Sequence, residues 1–500
     1  MRPINWGYLG IGVSISTLFF LILSDRVWGQ GVDPSSSEQA QDGDLQVIPT
    51  GTTSVMDLIP LNPDPKVLDV PKVPEEVTID THQPITLQQA LDLARRNNRD
   101  LQVIELELRQ SQAALREAQA ANLPTISAQG SLTRTDSATA RIAINQQEEA
   151  TGFPIPGASS VSNIFSTSAQ VSYDVFTSGQ RSASIRAAQA AATAAAQSLE
   201  TELQQLRLDV TNDYYDMQES DELVKIAQAA VSNAEVSLQD ARLLQQAGLG
   251  TRFDVLRAEV QLSDRQQDLT NALSQQKIAR RQLAERLSLD QSSNLSAADP
   301  VDLAGQWPLS LEDSIAQAIQ NRSELGELLS QRQIALENRR LAKASFGPQV
   351  SVSASVTFAE DLEDGVSGEF GNSVGGQVTK LIFDGGGTKA IADQQQANVE
   401  IAQTQFANFK NLIRFQVEQN YFTLQSSFRN IQTNRQAVGE ARESLRLARL
   451  RFKSGLGTQL EVNNAETDLT RAQSNLLTSF LDYNRALVAL DRFVGRRSTP

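Results

Sequence analysis

The sequence predicts a mainly helical α+β chain made from one unit used twice, with four β-strands and two very long helices per chain. Three observations carry that expectation. The body repeats itself from Thr86 onward, which marks an internally duplicated architecture. Each copy contains two segments of period-two alternation, the mark of strands with one apolar face. Each copy also contains a proline-free helical pattern more than sixty residues long.

The repeat is read directly from paired segments. Leu87-Gln-Gln-Ala-Leu-Asp-Leu-Ala matches Leu311-Glu-Asp-Ser-Ile-Ala-Gln-Ala at an offset of 224, which also carries Pro124 onto Pro348 and Ile126 onto Val350. Further on the offset is 207. Val175-Phe176 then matches Ile382-Phe383, Tyr214 matches Tyr421, and Ala247-Gly-Leu-Gly-Thr251 matches Ser454-Gly-Leu-Gly-Thr458. The difference of 17 residues falls between Pro124 and Val175, where the first half is expected to carry a longer loop. The expected organisation is a segment 1–29, a lead 30–84, a first repeat 85–308 and a second repeat 309–500.

Segment 1–29 has a basic start, Arg2, an apolar run Leu9–Leu23 and small residues before a cut after Gly29, as in a secretory signal. Residues 30–84 hold eight of the chain's sixteen prolines, so an extended or disordered lead is expected there. Each repeat then opens on a helix, Leu87–Asn122 and Leu311–Phe346, stopped by Pro124 and Pro348. The first strand follows. Val350, Val352, Ala354, Val356 and Phe358 alternate with serines and Thr357, and Ile126, Ala128, Gly130 and Leu132 alternate with Ser127, Gln129, Ser131 and Thr133. A polar loop leads to a second strand, Phe165–Phe176 and Ser373–Phe383, ending at a glycine-containing turn.

The long helices are expected from about Gly179 to Ala247 and from about Gly387 to Ser454. At about 1.5 Å per residue they span roughly 100 Å and must pack along neighbours as coiled coils. Both stop at Gly-Leu-Gly-Thr, a helix end followed by a Thr N-cap, and return as Arg252–Leu287 and Gln459–Phe493. Four strands of about ten residues cannot close a barrel alone, and open edges cannot face lipid. If the strands are in a membrane, several chains combine, and three would supply twelve strands. A soluble sandwich would show the same alternation.

Composition removes other classes. There is no cysteine, so no disulfide framework, Cys-ligated metal or thiol nucleophile. The single histidine, His82, leaves no His-rich metal site and is given no role. A net charge of −15 without a basic stripe argues against nucleic acid. Mean hydropathy of −0.30 excludes a bundle of transmembrane helices but not a β-barrel.

With this order in hand, residues 85–495 resemble the TolC-like outer-membrane efflux proteins. The resemblance rests on the duplication, the turn Phe383-Asp384-Gly385-Gly386-Gly387, and the paired motifs Gly250-Thr251-Arg252-Phe253-Asp254 and Gly457-Thr458-Gln459-Leu460-Glu461. It implies a homotrimeric channel-tunnel, with a twelve-stranded β-barrel in the outer membrane and a helical tube in the periplasm. The chain would be a passive exit duct of a tripartite efflux pump or type I secretion system. It would be no enzyme, need no cofactor or metal, and sit in outer-membrane lipid of a Gram-negative-type cell. Its partners would be a periplasmic adaptor (membrane fusion protein) and an inner-membrane pump of RND or ABC type. The rival is a secreted structural coiled-coil protein with a soluble β-sandwich.

Asp254 and Glu461 occupy matching positions just past the two hairpin tips, with Arg257 and Asn464 at i+3 on the same face. By the resemblance they are candidates for the constricted pore entrance; otherwise they are carboxylates favoured at a helix N-terminus. Gly248, Leu249 and Gly250, with Gly455, Leu456 and Gly457, are candidate adaptor contacts and equally satisfy a hairpin turn. Asp384-Gly-Gly-Gly-Thr-Lys389 follows a strand and opens a helix, but its spacing is not that of a phosphate loop. Tyr214, Tyr421, Phe415 and Phe422 are expected to be packing residues.

Overall fold

The computed structural model describes residues 81–154, 158–289, 293–362 and 367–496. The expected signal segment and the lead up to residue 80 lie outside the described residues. The first half comprises β1 (Thr81–Ile85), α1 (Leu87–Asn97), α2 (Arg99–Ala120), β2 (Thr125–Asp136), α3 (Ala138–Thr151), β3 (Val161–Phe176), α4 (Gln180–Gln246), α5 (Arg252–Arg286) and β4 (Ser293–Ala297). The second comprises α6 (Leu311–Asn321), α7 (Ser323–Ala344), β5 (Gln349–Asp361), β6 (Glu369–Thr379), α8 (Gly387–Lys453) and α9 (Gln459–Val494).

Strands β2, β3, β5 and β6 form one antiparallel sheet in that order, leaving β2 and β6 as its edges. The helices repeat the order. α2 leads into β2, β3 into α4, α7 into β5 and β6 into α8. Beneath the sheet, α2 packs on α4, α4 on α7 and α7 on α8. Farther from the sheet the hairpin partners take over, and the order becomes α5, α4, α9, α8. The chain is therefore a wall with two free sides, one carrying α2 and α5, the other α8.

Each 67-residue helix, α4 and α8, is held along this wall by packing, not by propensity alone. On α8 the buried residues Val417, Leu424, Ile431, Val438, Leu445 and Phe452 recur every seven positions, the period of a coiled-coil seam. On the same helix the Phe415 and Phe422 side chains are more than half exposed, contrary to the expectation that they are packing residues. They sit on a wall-edge helix whose outer side has no neighbour in one chain.

Three further departures have local causes. The helix expected as Leu87–Asn122 is broken at Asn98. Its side chain accepts from Leu101 N at 2.8 Å and donates to Arg286 O at 3.1 Å, so it caps α2 while anchoring the end of α5. Arg322 breaks the second-half helix at the matching place, with φ −67° and ψ 121°. The 17 extra residues are largely the helix α3, begun by the Ser137 cap (Ala140 N to Oγ, 3.2 Å) and ended at left-handed Gly152, where a longer loop is expected. Strand β6 stops at Thr379, short of Phe383, because its partner strand begins at Gln349, just after Pro348.

The end of the proline-rich stretch also joins a sheet. β1 pairs in parallel with β4, from Thr81 with Ser293 to Ile85 with Ala297. Pro84 is tolerated because a two-stranded sheet leaves each strand one side without ladder bonds. Around it lies a core including Ile85, Leu101, Tyr214, Met217, Leu283 and Leu295. The Tyr214 hydroxyl lies 2.8 Å from Asp299 Oδ2 and 3.1 Å from Ile85 O, and the same carboxylate accepts from Leu87 N at 2.8 Å, capping α1. Burial pushes the Tyr214 hydroxyl above its ordinary pKa.

Candidate functional site: the sheet and the hairpin tips

Residues directly opposite one another in an antiparallel sheet share a face, so the register sorts the side chains. Ile126, Ala128 and Leu132 lie opposite Val171, Ala169 and Phe165, and the same face continues through Ala354, Val356 and Phe358 to Val374 and Phe370. The opposite face holds Ser127, Gln129 and Ser131, then Gln170, Ser168 and Ser166, then Ser353, Ser355 and Thr357, then Ser373 and Gln377. Hydroxyl pairs cross the strands on this face: Thr125 with Ser172 at 2.7 Å, Ser131 with Ser166 at 2.9 Å, and Ser355 with Ser373 at 2.9 Å.

The apolar face is bare. Ile126 is 70% exposed, Phe370 76% and Val374 80%, although the same chain buries Tyr214 and Ile413 almost completely. Aromatic side chains bound this face at both ends. Phe165, Phe358 and Phe370 form a row at the loop end, with ring centroids 6.3 and 4.9 Å apart, and Tyr173 and Phe176 lie at the helix end. Along β3, Phe165 to Phe176 covers roughly 36 Å at about 3.3 Å per residue. Tilted by about 45°, that is roughly 25 Å, the height of the apolar band of a membrane barrel. The aromatic rows were missed in the sequence reading, though Phe165, Phe358 and Phe370 each flank an alternating segment at its loop end.

The two hairpin tips are built alike. Gly248 and Gly455 both take φ +74°, the left-handed conformation that side chains resist. A Cβ on Gly250 would meet Gln245 N at 3.1 Å, and one on Gly457 would meet Arg451 Cβ at 2.9 Å. Leu249 and Leu456 project beyond the last turns, 78% and 75% exposed. Thr251 Oγ1 accepts from Asp254 N at 3.1 Å and Thr458 Oγ1 from Glu461 N at 3.2 Å, starting the return helices.

The acidic residues behind these tips are placed differently. Asp254 turns back on its own cap, accepting from Thr251 N at 3.2 Å and Thr251 Oγ1 at 2.5 Å. Glu461 reaches across its hairpin to Arg451 at 3.6 Å. Arg257 lies over the Phe253 ring at 5.3 Å, and Asn464 is exposed. Within one chain, therefore, these four residues form no single cluster.

Charged side chains cross-link the wall farther up. Arg485 on α9 meets Asp216 at 2.5 Å and Glu219 at 2.7 Å on α4. Burial pushes the Asp216 carboxyl up despite that guanidinium. Arg322, stacked between Phe409 and Phe493, and Arg492 both hold Glu324, at 2.6 and 2.8 Å. Burial alone would raise the Glu324 carboxyl, but the two guanidiniums outweigh it and lower its pKa to about 2. The sequence reading missed these pairs. At the phosphate-loop-like joint, Asp384 accepts from Gly386 N at 2.9 Å and Thr388 N at 2.6 Å, so its own carboxylate occupies the amides a phosphate would need.

Among the described residues no group of His, Asp or Glu is placed to hold a metal ion, and no helix is long and apolar enough to cross a membrane. A sheet with a lipid-type face outside, a hydroxyl face behind it and long helices below defines a segment of a membrane duct. Residues 90–288 and 314–496 match the family model for outer membrane efflux proteins, and the chain belongs to that family. Its members are channel proteins of the outer membrane, not enzymes, with a long periplasmic portion.

Nodulation protein T of Rhizobium leguminosarum bv. trifolii is 22% identical over 58% of this chain; the chain spans 63% of that relative. The probable efflux pump outer membrane protein TtgC of Pseudomonas putida (strain KT2440) is 25% identical over 83% of each. Among solved structures, the CmeC outer membrane channel of Campylobacter jejuni matches with a TM-score of 0.72 at 17% identity, over 86% of this chain and 93% of that one. This last likeness shows the fold.

Proposed function

We propose that three copies of the chain close into the exit duct of a tripartite efflux pump. The bare, aromatic-bounded apolar face of a four-stranded sheet with two open edges carries this reading. Open edges are not stable in hydrocarbon, so β6 of each copy pairs with β2 of the next and twelve strands close the barrel. The hydroxyl face then lines the lumen, and the helical walls join below it as a tube. The rival soluble sandwich would need a second layer over Ile126, Val374 and Phe370, and no described element covers them.

The tips are the adaptor-binding end. Gly248, Leu249 and Gly250, and Gly455, Leu456 and Gly457, present an apolar knob on a backbone that permits close approach. Asp254 and Glu461, with Arg257 and Asn464, stand just behind them and would ring the entrance six times in a trimer. The family relationship supports an adaptor and an inner-membrane pump as partners, and TtgC, by its name part of an efflux pump, favours a pump over a secretion system. Whether the pump is of RND or ABC type is read by co-purification.

The test is the mass and outline of the protein extracted from membranes in mild detergent. A threefold particle of roughly 130 Å, from about 100 Å of helix and about 30 Å of barrel, is expected. A soluble monomer would end the proposal. Conductance after Asp254→Ala with Glu461→Ala tests the entrance: weaker block by multivalent cations is expected, and unchanged block would remove these residues from it.

A further inference from the structure

The two hairpins carry the same clamp at the same height. Arg449 on α8 pairs with Glu466 on α9 at 3.0 Å, and Arg242 on α4 pairs with Glu259 on α5 at 2.8 Å. Both members of the second pair map onto the first at the 207 offset. Their surroundings differ. The Glu466 side chain is 5% exposed because α4 closes over it: Ser237 Oγ donates to Glu466 Oε1 at 2.5 Å, and Arg449 donates to Asn233 Oδ1 at 3.0 Å. The Glu259 side chain is 42% exposed, at the free side of the wall.

The lateral order α5, α4, α9, α8 sets a return helix, α9, against a long helix, α4. At the two free sides an equivalent return helix, α5, and an equivalent long helix, α8, lack that neighbour. The 207 offset takes Ser237 onto Ser444 and Asn233 onto Glu440, both on α8. We infer that α5 docks on α8 of a second copy in the register of the internal α4–α9 seam, with Ser444 and Glu440 of that copy completing the Arg242–Glu259 clamp. This rests on the threefold reading and adds to it the residues and register of the seam.

Charge supports the register twice. Where the internal seam offers Arg449 a neutral Asn233, the outer seam offers Arg242 the carboxylate of Glu440, whose Oε1 accepts, among the described residues, only from Gln436, at 2.7 Å. Nearer the sheet, the internal α4–α7 seam is joined by Arg186 to Glu337, which also holds Arg340. The offsets carry Arg186 onto Asp393 of α8, Glu337 onto Ala113 and Arg340 onto Arg116 of α2. The long-helix position has changed from basic to acidic, while the facing helix has lost its glutamate and kept its arginine, so the two stay complementary. Asp393 and Arg116 are exposed on opposite sides of the wall and have no ion-pair partner among the described residues.

The absence of cysteine makes the seam measurable. Full-length chain carrying Glu259→Cys with Ser444→Cys, treated in membranes with a short thiol-specific crosslinker, should give dimers and trimers on a denaturing gel. Ser237→Cys with Glu466→Cys should link within one chain and stay monomeric in mass. A threefold particle whose 259/444 pair yields only monomers, while the internal pair links, would overturn the register and leave the trimer standing. A particle that is not threefold would remove both. Independently, Arg116→Glu should lower the trimer fraction in harsh detergent about tenfold and Asp393→Arg should restore it; no restoration counts against the seam.

Discussion

The sheet and the helical wall obey opposite rules within one chain. In the wall, Ile413, Val417, Leu481 and Leu490 are sealed between helices, and charge stays outside or in pairs such as Arg485 with Asp216. In the sheet, the large apolar side chains point outward and the serines form the other face. Neither pattern is anomalous in the proposed assembly, where water would enclose the wall and hydrocarbon would enclose the sheet. The burial that stabilises the wall is internal to it, about 25 cal/mol per Å² of apolar surface, whereas the sheet of the proposed duct would gain the same benefit from lipid.

The largest effect should come from putting charge on the wrong face of the sheet. Val374→Arg costs roughly 2–4 kcal/mol per copy at mid-membrane, met three times in a closed barrel. Loss of membrane-inserted trimer is expected, read by floating membranes and native gels. Ser353→Arg, on the hydroxyl face, should insert normally; equal loss for both would erase the distinction between the faces. In the wall, Ile413→Ala leaves a cavity in a fully buried seam and should cost roughly 2–5 kcal/mol, seen as a lower melting temperature with insertion retained.

Acid should find the wall before the sheet. The Glu324 pKa is about 2 folded against an ordinary 4.5, so its pairing stabilises fully above about pH 4.5 and is lost as pH falls toward 2. The shift corresponds to roughly 3 kcal/mol at neutral pH. Melting curves between pH 5 and 3 should fall more steeply for the natural chain than for Glu324→Gln, and parallel curves would deny the linkage. The smallest effect lies at the tips. Gly455→Ala forces a side chain into φ +74° and should cost roughly 1–2 kcal/mol, with local loosening by hydrogen exchange at the α8–α9 turn and no change in the sheet.

The regular parts were legible because one periodicity governs each. α4 and α8 were expected within about a residue of their observed ends, since Gly179 and Gly387 open them and Gly-Leu-Gly-Thr closes them. Alternation at Ile126–Leu132 and Val350–Phe358 placed two strands and their apolar faces. What stayed hidden depends on partners distant in sequence. Asn98 reads as one polar residue in a helical run, and only the Arg286 carbonyl makes it a break. Arg322 has no cap signature at all; Glu324, Gln416 and two aromatic rings hold it out of the helix. Lys380–Phe383 reads as strand, but β5 supplies no partner there. At the tips, the glycines and threonines were legible, whereas the inward turn of Asp254 against the reach of Glu461 to Arg451 depends on which helix faces each.

The pairing of β1 with β4 has a consequence for how the chain acquires its shape. Thr81 meets Ser293 only after everything from α1 through α5 has been made, so this small sheet ties a loop of more than two hundred residues. Closing such a loop costs roughly 5 kcal/mol of chain entropy, more than a two-stranded sheet recovers alone. It therefore forms late, after α4 and α5 have zipped together and brought β4 back beside Ile85. The tie itself joins only elements of the first half, but Leu477 and Leu481 of α9 complete the core around it, and the second half has no counterpart among the described residues. A chain exported from its N-terminus would thus hold its first half tied but unsealed until α9 arrives to close the core.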